Sequence, residues 1–193
     1  MADPGRPDGS RFAGVTDLIV VTGPPGAGKS TVARVVAGRF ELSVIVSGDT
    51  FFTFVASGAI IPWLPESDAQ NEVITLAAAA AAGQYASGGY TTLFDGVVGP
   101  KFLTRFMDAT GLDSMHYVVL MPTVDECVRR VTTREGHGFR DEPATRKMYD
   151  EFVRGEIDDR HVLRDPPDTV EAVADAIVRI VERDHARYTP VVA

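Results

Sequence analysis

Three observations predict an α/β fold with a parallel sheet covered by helices on both faces. Short apolar runs rich in β-branched residues alternate with segments of helical spacing. Three of these runs end in Gly or in an Asp and Gly pair, and ligands of such sheets sit at the carboxyl ends of the strands. The first run leads into "GPPGAGKST", residues 23–31, with the spacing G-x-x-x-x-G-K-S.

"DLIVVTG" is a buried parallel strand by its length and β-branched content. After Gly28, Val32, Val35, Val36 and Phe40 recur at helical spacing. "LSVIVSGD" is a second strand, ending at Gly48 and Asp49. Ser67 and Gln70 have the spacing of a capping box before a helix through "NEVITLAAAAAAGQYA". Its alanine run, Ala77 to Ala82, predicts a helix packed close to its neighbour. "YTTLFDGV" is a third strand and "HYVVLMP" a fourth. Thr123 and Glu126 cap the next helix, with Val124, Cys127, Val128 and Val131 on one face. "HVLRD" gives a short fifth strand. Asp168 and Glu171 open the last helix, with Val170, Val173, Ile177 and Ile180 inward. The organisation expected is a flexible leader over 1–16, one domain over 17–184 and a C-terminal tail over 185–193.

The 193 residues suffice for one domain with a sizeable core. A formal charge of −8 argues against nucleic acid as the main partner, because phosphate contacts need cations. No apolar run is long enough for a bilayer, residues 1–16 lack the apolar region of a secretory signal, and no lipidation signal is present. No membrane role is expected. The single cysteine, Cys127, cannot form an intramolecular disulfide, and no Cys/His cluster suggests zinc. A reducing cytoplasm fits, with the chain a monomer or homodimer.

The glycine-rich stretch carries the strongest signal. A turn made by Gly23, Pro24, Pro25, Gly26, Ala27 and Gly28 between strand and helix lets backbone N–H groups converge on an anion. Lys29 would reach the β- and γ-phosphates of a nucleotide and Ser30 would bind Mg²⁺, with Thr31 completing the motif. Lys29 is expected to stand exposed in the empty loop. Asp49, at the end of the second strand, is placed to take a proton from a hydroxyl nucleophile or to orient the metal shell. It is also a good helix N-cap, and the two roles can coexist. Asp95 follows the third strand as a Mg²⁺-orienting acid would; the alternative is a turn Asp-Gly pair. Arg130, Arg134 and Arg140 lie in "RRVTTREGHGFRDEP", where arginines suit stacking on a base and clamping a phosphoryl group. The other reading is a solvated basic helix end.

With these pieces placed, the sequence resembles the small P-loop kinases of metabolites, the group of shikimate kinase, gluconate kinase and chloramphenicol phosphotransferase. The resemblance rests on "GPPGAGKST", "SGDTFF", "LFDG" and "RRVTTR" and spans most of residues 17–184. It implies a three-layer sandwich with strand order 2-3-1-4-5 and a lid, with ATP and Mg²⁺ as cofactors. It implies Asp49 as base, Arg130 stacked on adenine, Arg134 or Arg140 on phosphates, and the loop at Pro166–Asp168 beside the base. One feature departs from shikimate kinases, which hold an acidic substrate with arginines between strands two and three. Here no Lys, Arg or His occurs from Phe40 to Pro100. That segment offers Phe52 and Trp63 as apolar contacts and Gln70 and Asn71 as hydrogen-bonding groups, beside Asp49 and Asp95. The acceptor expected is a neutral or cationic small molecule with a hydroxyl and an apolar or ring portion. A nucleoside or nucleotide kinase, and a nucleotide switch with slow hydrolysis, are the alternatives.

Overall fold

The computed structural model describes residues 17–134 and 139–190. The leader expected over 1–16 and the middle of the expected lid, 135–138, lie outside these. The core of the fold is a parallel sheet of β1 (Leu18–Thr22), β2 (Ser43–Ser47), β3 (Thr91–Asp95), β4 (Met115–Met121) and β5 (Val162–Arg164), in the order β2-β3-β1-β4-β5. This is the expected order. Every residue of β1, β3 and β4 is buried. A strand covered on both faces reads as a continuous apolar run, which is why these three are conspicuous in the sequence.

Alternation along β1 divides two cores. Leu18 and Val20 face one, with Phe94, Phe106, Met107 and Tyr117. Ile19 and Val21 face the other, with Val32, Val36, Val118, Leu120, Val173 and Ile177. Helices α1 (Lys29–Ala37) and α7 (Val170–Glu182) cover the second face. Helices α3 (Asp68–Ser87), α4 (Pro100–Thr110) and α6 (Glu142–Arg154) contribute to the first. A short α2 (Gly48–Phe52) follows β2, and α5 (Val124–Thr133) follows β4.

The alanine run packs as expected. Ala78, Ala79 and Ala82 are fully buried, and a Cβ on Gly83 would come within 1.9 Å of the Thr110 carbonyl oxygen. Small side chains thus let α3 and α4 approach backbone to backbone.

Several details differ from expectation. The capping box at Ser67 is not formed. A 3₁₀ turn at Pro65–Ser67 draws the Ser67 hydroxyl to the Pro62 and Leu64 carbonyls, at 2.8 and 2.7 Å. Gln70 bonds Ile60 instead. The cap of α7 is Thr169, not Asp168, and its hydroxyl accepts the Ala172 N–H at 3.2 Å. Helices α4 and α6 add to the elements read from sequence. A sixth strand, β6 (Arg187–Tyr188), pairs antiparallel with the start of β4. It falls in the stretch set apart as a tail, and Ala186 beside it is buried. Arg187 donates to Asp17 at 2.8 Å and to Ser114 at 2.7 Å, and His116 lies 3.1 Å from the same Asp17 carboxylate. These bonds hold the Asp17 carboxyl below its usual range, His116 first among them, and fasten the stretch to the base of the sheet. No helix among the described residues is long and apolar enough to cross a membrane.

Gly83→Ala is expected to destabilise the protein by about 1–3 kcal/mol through overpacking, despite the roughly 1 kcal/mol by which Ala favours a helix. Thermal melting checks this, and an unchanged or raised Tm would show that α3 and α4 do not meet this closely.

Candidate active site

The parallel register sets the site. Val21 of β1 and Ser47 of β2 both lie beside Asp95 of β3, so the three strands end level. The Thr22 hydroxyl accepts the Val98 N–H at 2.8 Å, tying the end of β1 to the segment after β3.

The loop from β1 to α1 then threads between β4 and α5. Gly23 (φ +139°) leaves no room for a Cβ, which would sit 2.3 Å from the Leu120 carbonyl oxygen. Gly26 (φ +83°) is equally confined, 2.3 Å from that of Cys127. Only glycine combines these backbone angles with such close approach. The loop delivers Lys29 and Ser30 as the first residues of α1, where helix N–H groups lack intrahelical partners.

Lys29 is not exposed. Its ammonium donates to the Gly23 and Pro24 carbonyls at 3.1 Å each, closing the loop on itself. Burial pushes the Lys29 pKa down, while Asp95 and Asp49 pull it back up. The Ser30 hydroxyl bonds the Asp95 carboxylate, which is 7% exposed. Burial raises the Asp95 pKa above the carboxylate norm, against the pull of Ser30 and Lys29. Two hard oxygens side by side suit Mg²⁺, which takes few protein ligands and keeps phosphate and water oxygens for the rest. Among the described residues no group of three or more His, Cys, Asp or Glu is arranged for a metal.

Asp49 is exposed in the first turn of α2, and the helix N-cap is Ser47, so Asp49 does not serve as the cap. Its charge acts on Lys29, Asp95 and Arg134, which places it among the phosphate-loop residues.

Arg130 lies over the loop. Its guanidinium bonds Glu126 at 2.7 Å and the Gly26 carbonyl at 3.4 Å. Arg134 donates to the Phe139 carbonyl at 3.0 Å, and its Nε is buried with no partner among the described residues. Burial lowers the Arg134 pKa and Asp49 raises it. Arg140 is exposed and is not part of the cleft wall. Nor is the Pro166–Asp168 loop.

A cleft of about 2070 Å³ runs outward from the phosphate loop. Phe52, Trp63 and Asn71 line it, and Gln70 does not. Both polar atoms of Gln70 bond the Ile60 backbone at 2.8 Å. Asn71 donates to the Pro62 carbonyl at 2.6 Å and to Ser67 at 2.9 Å. The cleft also takes residues beyond the segment from Phe40 to Pro100. Lys101 comes from α4, and Lys147, Met148, Glu151, Phe152 and Arg154 come from α6. The segment from Phe40 to Pro100 therefore does not supply the charge of the site alone. Two signals announced these helices. Pro100 stands in the first turn of α4, and Asp141 caps α6 just before Pro143, accepting the Ala144 N–H at 2.8 Å.

The family described as "AAA domain" matches the chain over residues 19–154. No curated protein matches. Among solved structures the chain is similar to shikimate kinase from Acinetobacter baumannii in complex with shikimate, at TM-score 0.63 and 18% identity, covering 92% of this chain and 98% of that one. A sugar kinase from Janibacter sp. gives TM-score 0.63 and 19% identity over 88% and 98%. The tunicamycin resistance protein of Deinococcus radiodurans gives 0.59 and 18% over 86% and 95%. At these identities the likeness is one of fold, that of small P-loop kinases.

Gly26→Ala is expected to lower Tm, because a Cβ there would meet the Cys127 carbonyl oxygen at 2.3 Å, and in the folded protein to weaken binding of the ATP analogue AMP-PNP with Mg²⁺ by roughly tenfold or more. Tenfold corresponds to about 1.4 kcal/mol of binding free energy. Calorimetric titration checks it, and unchanged affinity would place the phosphates elsewhere.

Proposed function

We propose that this member of the AAA-domain family is an ATP-dependent phosphotransferase. Its acceptor would be a hydroxyl of a small neutral or cationic molecule, a metabolite or an antibiotic. One observation carries the reading. Lys29, the Ser30–Asp95 pair and Asp49 meet at one end of a cleft whose volume of about 2070 Å³ exceeds that of a single-ligand pocket, roughly 300–1,000 Å³. A nucleotide and a second small molecule fit side by side.

In this reading the loop N–H groups and the start of α1 cradle the phosphates. Lys29 exchanges its two carbonyl partners for β- and γ-phosphate oxygens. Ser30 and Asp95 would hold Mg²⁺, which when bound neutralises charge on those oxygens. Asp49 accepts the proton of the acceptor hydroxyl as its oxygen attacks the γ-phosphorus. The bond from the γ-phosphorus to the β-bridging oxygen breaks, and ADP leaves. Arg134, in the cleft wall, would stabilise the charge that develops on the transferred group, and Arg130 would stack on the adenine. Positioning and electrostatics supply most of the acceleration in such transfers. A cytoplasmic monomer or homodimer suits these cofactors.

A nucleoside or nucleotide kinase is favoured by one observation, the three bases Lys101, Lys147 and Arg154 in the cleft. Against it, three acids, Asp68, Glu151 and Glu156, line the same cleft and match those three bases in number. A slowly hydrolysing switch has no use for the second ligand space.

Lys29→Ala is expected to lower ATP turnover by on the order of 10²–10³ with an unchanged circular dichroism spectrum. Unaltered turnover would remove the phosphate site. Asp49→Asn is expected to lower kcat by roughly 10²–10⁴ while AMP-PNP affinity stays within about twofold. Lost nucleotide binding with normal transfer per bound ATP would make Asp49 a nucleotide ligand and not the base.

A further inference from the structure

The segment between α2 and α3 is pinned down by its own polar side chains. Gln70, in the first turn of α3, bonds both the N–H and the carbonyl of Ile60 at 2.8 Å. The Ser67 hydroxyl and the Asn71 amide both donate to the Pro62 carbonyl, at 2.8 and 2.6 Å. These bonds anchor the backbone just before Trp63, and the Ser67 hydroxyl also donates to the Leu64 carbonyl just after it, at 2.7 Å. The indole meets the Phe139 ring edge-on, with centroids 4.8 Å apart, in the range of an attractive aromatic pair. Phe139 precedes α6 in the chain, and its carbonyl accepts from Arg134. Both rings line the cleft.

The polar side chains next to Trp63 are largely engaged within the protein. A polyol needs a hydrogen-bond partner for each hydroxyl it buries, and unmet groups cost affinity. Here the Gln70 amide is committed to the Ile60 backbone, and the Asn71 NH2 and the Ser67 hydroxyl to the Pro62 carbonyl and to one another, while Asn71 Oδ1 is buried with no partner among the described residues. The surface that Trp63 and Phe139 present to the cleft is aromatic, and Phe52, Met148 and Phe152 add apolar surface beside the charged side chains of the same cleft.

We propose that the Trp63–Phe139 pair is a subsite for a hydrocarbon ring of the acceptor, and that Gln70 is the positioning residue that presents Trp63 to it. The acceptor is then a ring-bearing alcohol, and Gln70 touches it only through Trp63. This rests on the phosphotransferase reading for the meaning of "acceptor", not for the existence of the subsite.

Trp63 is the sole tryptophan, so its emission reports on the subsite directly. The probes are matched diols, 1-phenylethane-1,2-diol against propane-1,2-diol, titrated in the presence of Mg²⁺ and AMP-PNP. The phenyl diol is expected to change Trp63 emission saturably, with half-saturation at least roughly tenfold below that of propanediol. In Gln70→Ala, Trp63 is expected to become more accessible to acrylamide quenching and the phenyl diol half-saturation to rise about tenfold, with AMP-PNP affinity unchanged. Gln70→Glu, which keeps the acceptor for the Ile60 N–H, is expected to fall between. Equal responses to the two diols would overturn the ring subsite, in wild type alone if Gln70→Ala fails to fold. Unchanged quenching and half-saturation in a folded Gln70→Ala would overturn the positioning role. Phosphoryl transfer from ATP is followed separately. A ring diol that binds at Trp63 while no alcohol is ever phosphorylated defeats the kinase reading and leaves the subsite. Equal phosphorylation of both diols does the reverse.

Discussion

The site depends on the level ending of three parallel strands. Asp95 has Val21 on one side and Ser47 on the other, so the phosphate loop, Asp95 and Asp49 all emerge at one rim. A slip of one residue in either pairing would turn side chains to the opposite face and break both cores. The buried apolar alternation of β1 therefore fixes the chemistry as well as the packing. On that rim the electrostatics are coupled. The Lys29 ammonium, partly stripped of water, is held by two loop carbonyls and by the field of Asp95 and Asp49. Asp95, also buried, leans on Ser30 and Lys29. Such an arrangement suits an anion, because the cation already lacks full solvation and the start of α1 lies beside it.

Much of this was legible in the sequence, and the reason is local. β1, β3 and β4 are buried on both faces, so their periodicity is unmistakable. The phosphate loop is encoded by Gly23, Gly26 and Gly28, whose backbone angles admit little else. The exposure expected of Lys29 was wrong, because a sequence does not show that the carbonyls of Gly23 and Pro24 turn to accept its ammonium. The cap at Ser67 failed for a similar reason. Its hydroxyl and the Gln70 amide found tertiary partners in Pro62, Leu64 and Ile60 that outcompete the local motif.

The acceptor end was the least legible. Its walls come from α2, the segment around Trp63, α4 and α6, which are far apart in the chain and joined only by the fold. Counting charges from Phe40 to Pro100 found the acids and stopped one residue short of Lys101, and nothing in the sequence brought Lys147 and Arg154 to the cleft. Asp68, Glu151 and Glu156 line the same cleft, so the region is mixed rather than acidic. Trp63 could be singled out by composition, but its contact with Phe139 joins residues 76 apart and has no signal in sequence spacing.

The central claim concerns where the γ-phosphoryl group goes, and its fate can be followed directly. ATP labelled at the γ-phosphate is incubated with the protein, Mg²⁺ and a panel of neutral, cationic, carboxylated and phosphorylated alcohols, and the labelled products are separated. The account predicts a labelled phosphate monoester on a neutral or cationic alcohol, formed much faster than inorganic phosphate is released. Label found only in inorganic phosphate, or only on the phosphorylated acceptors, would contradict it.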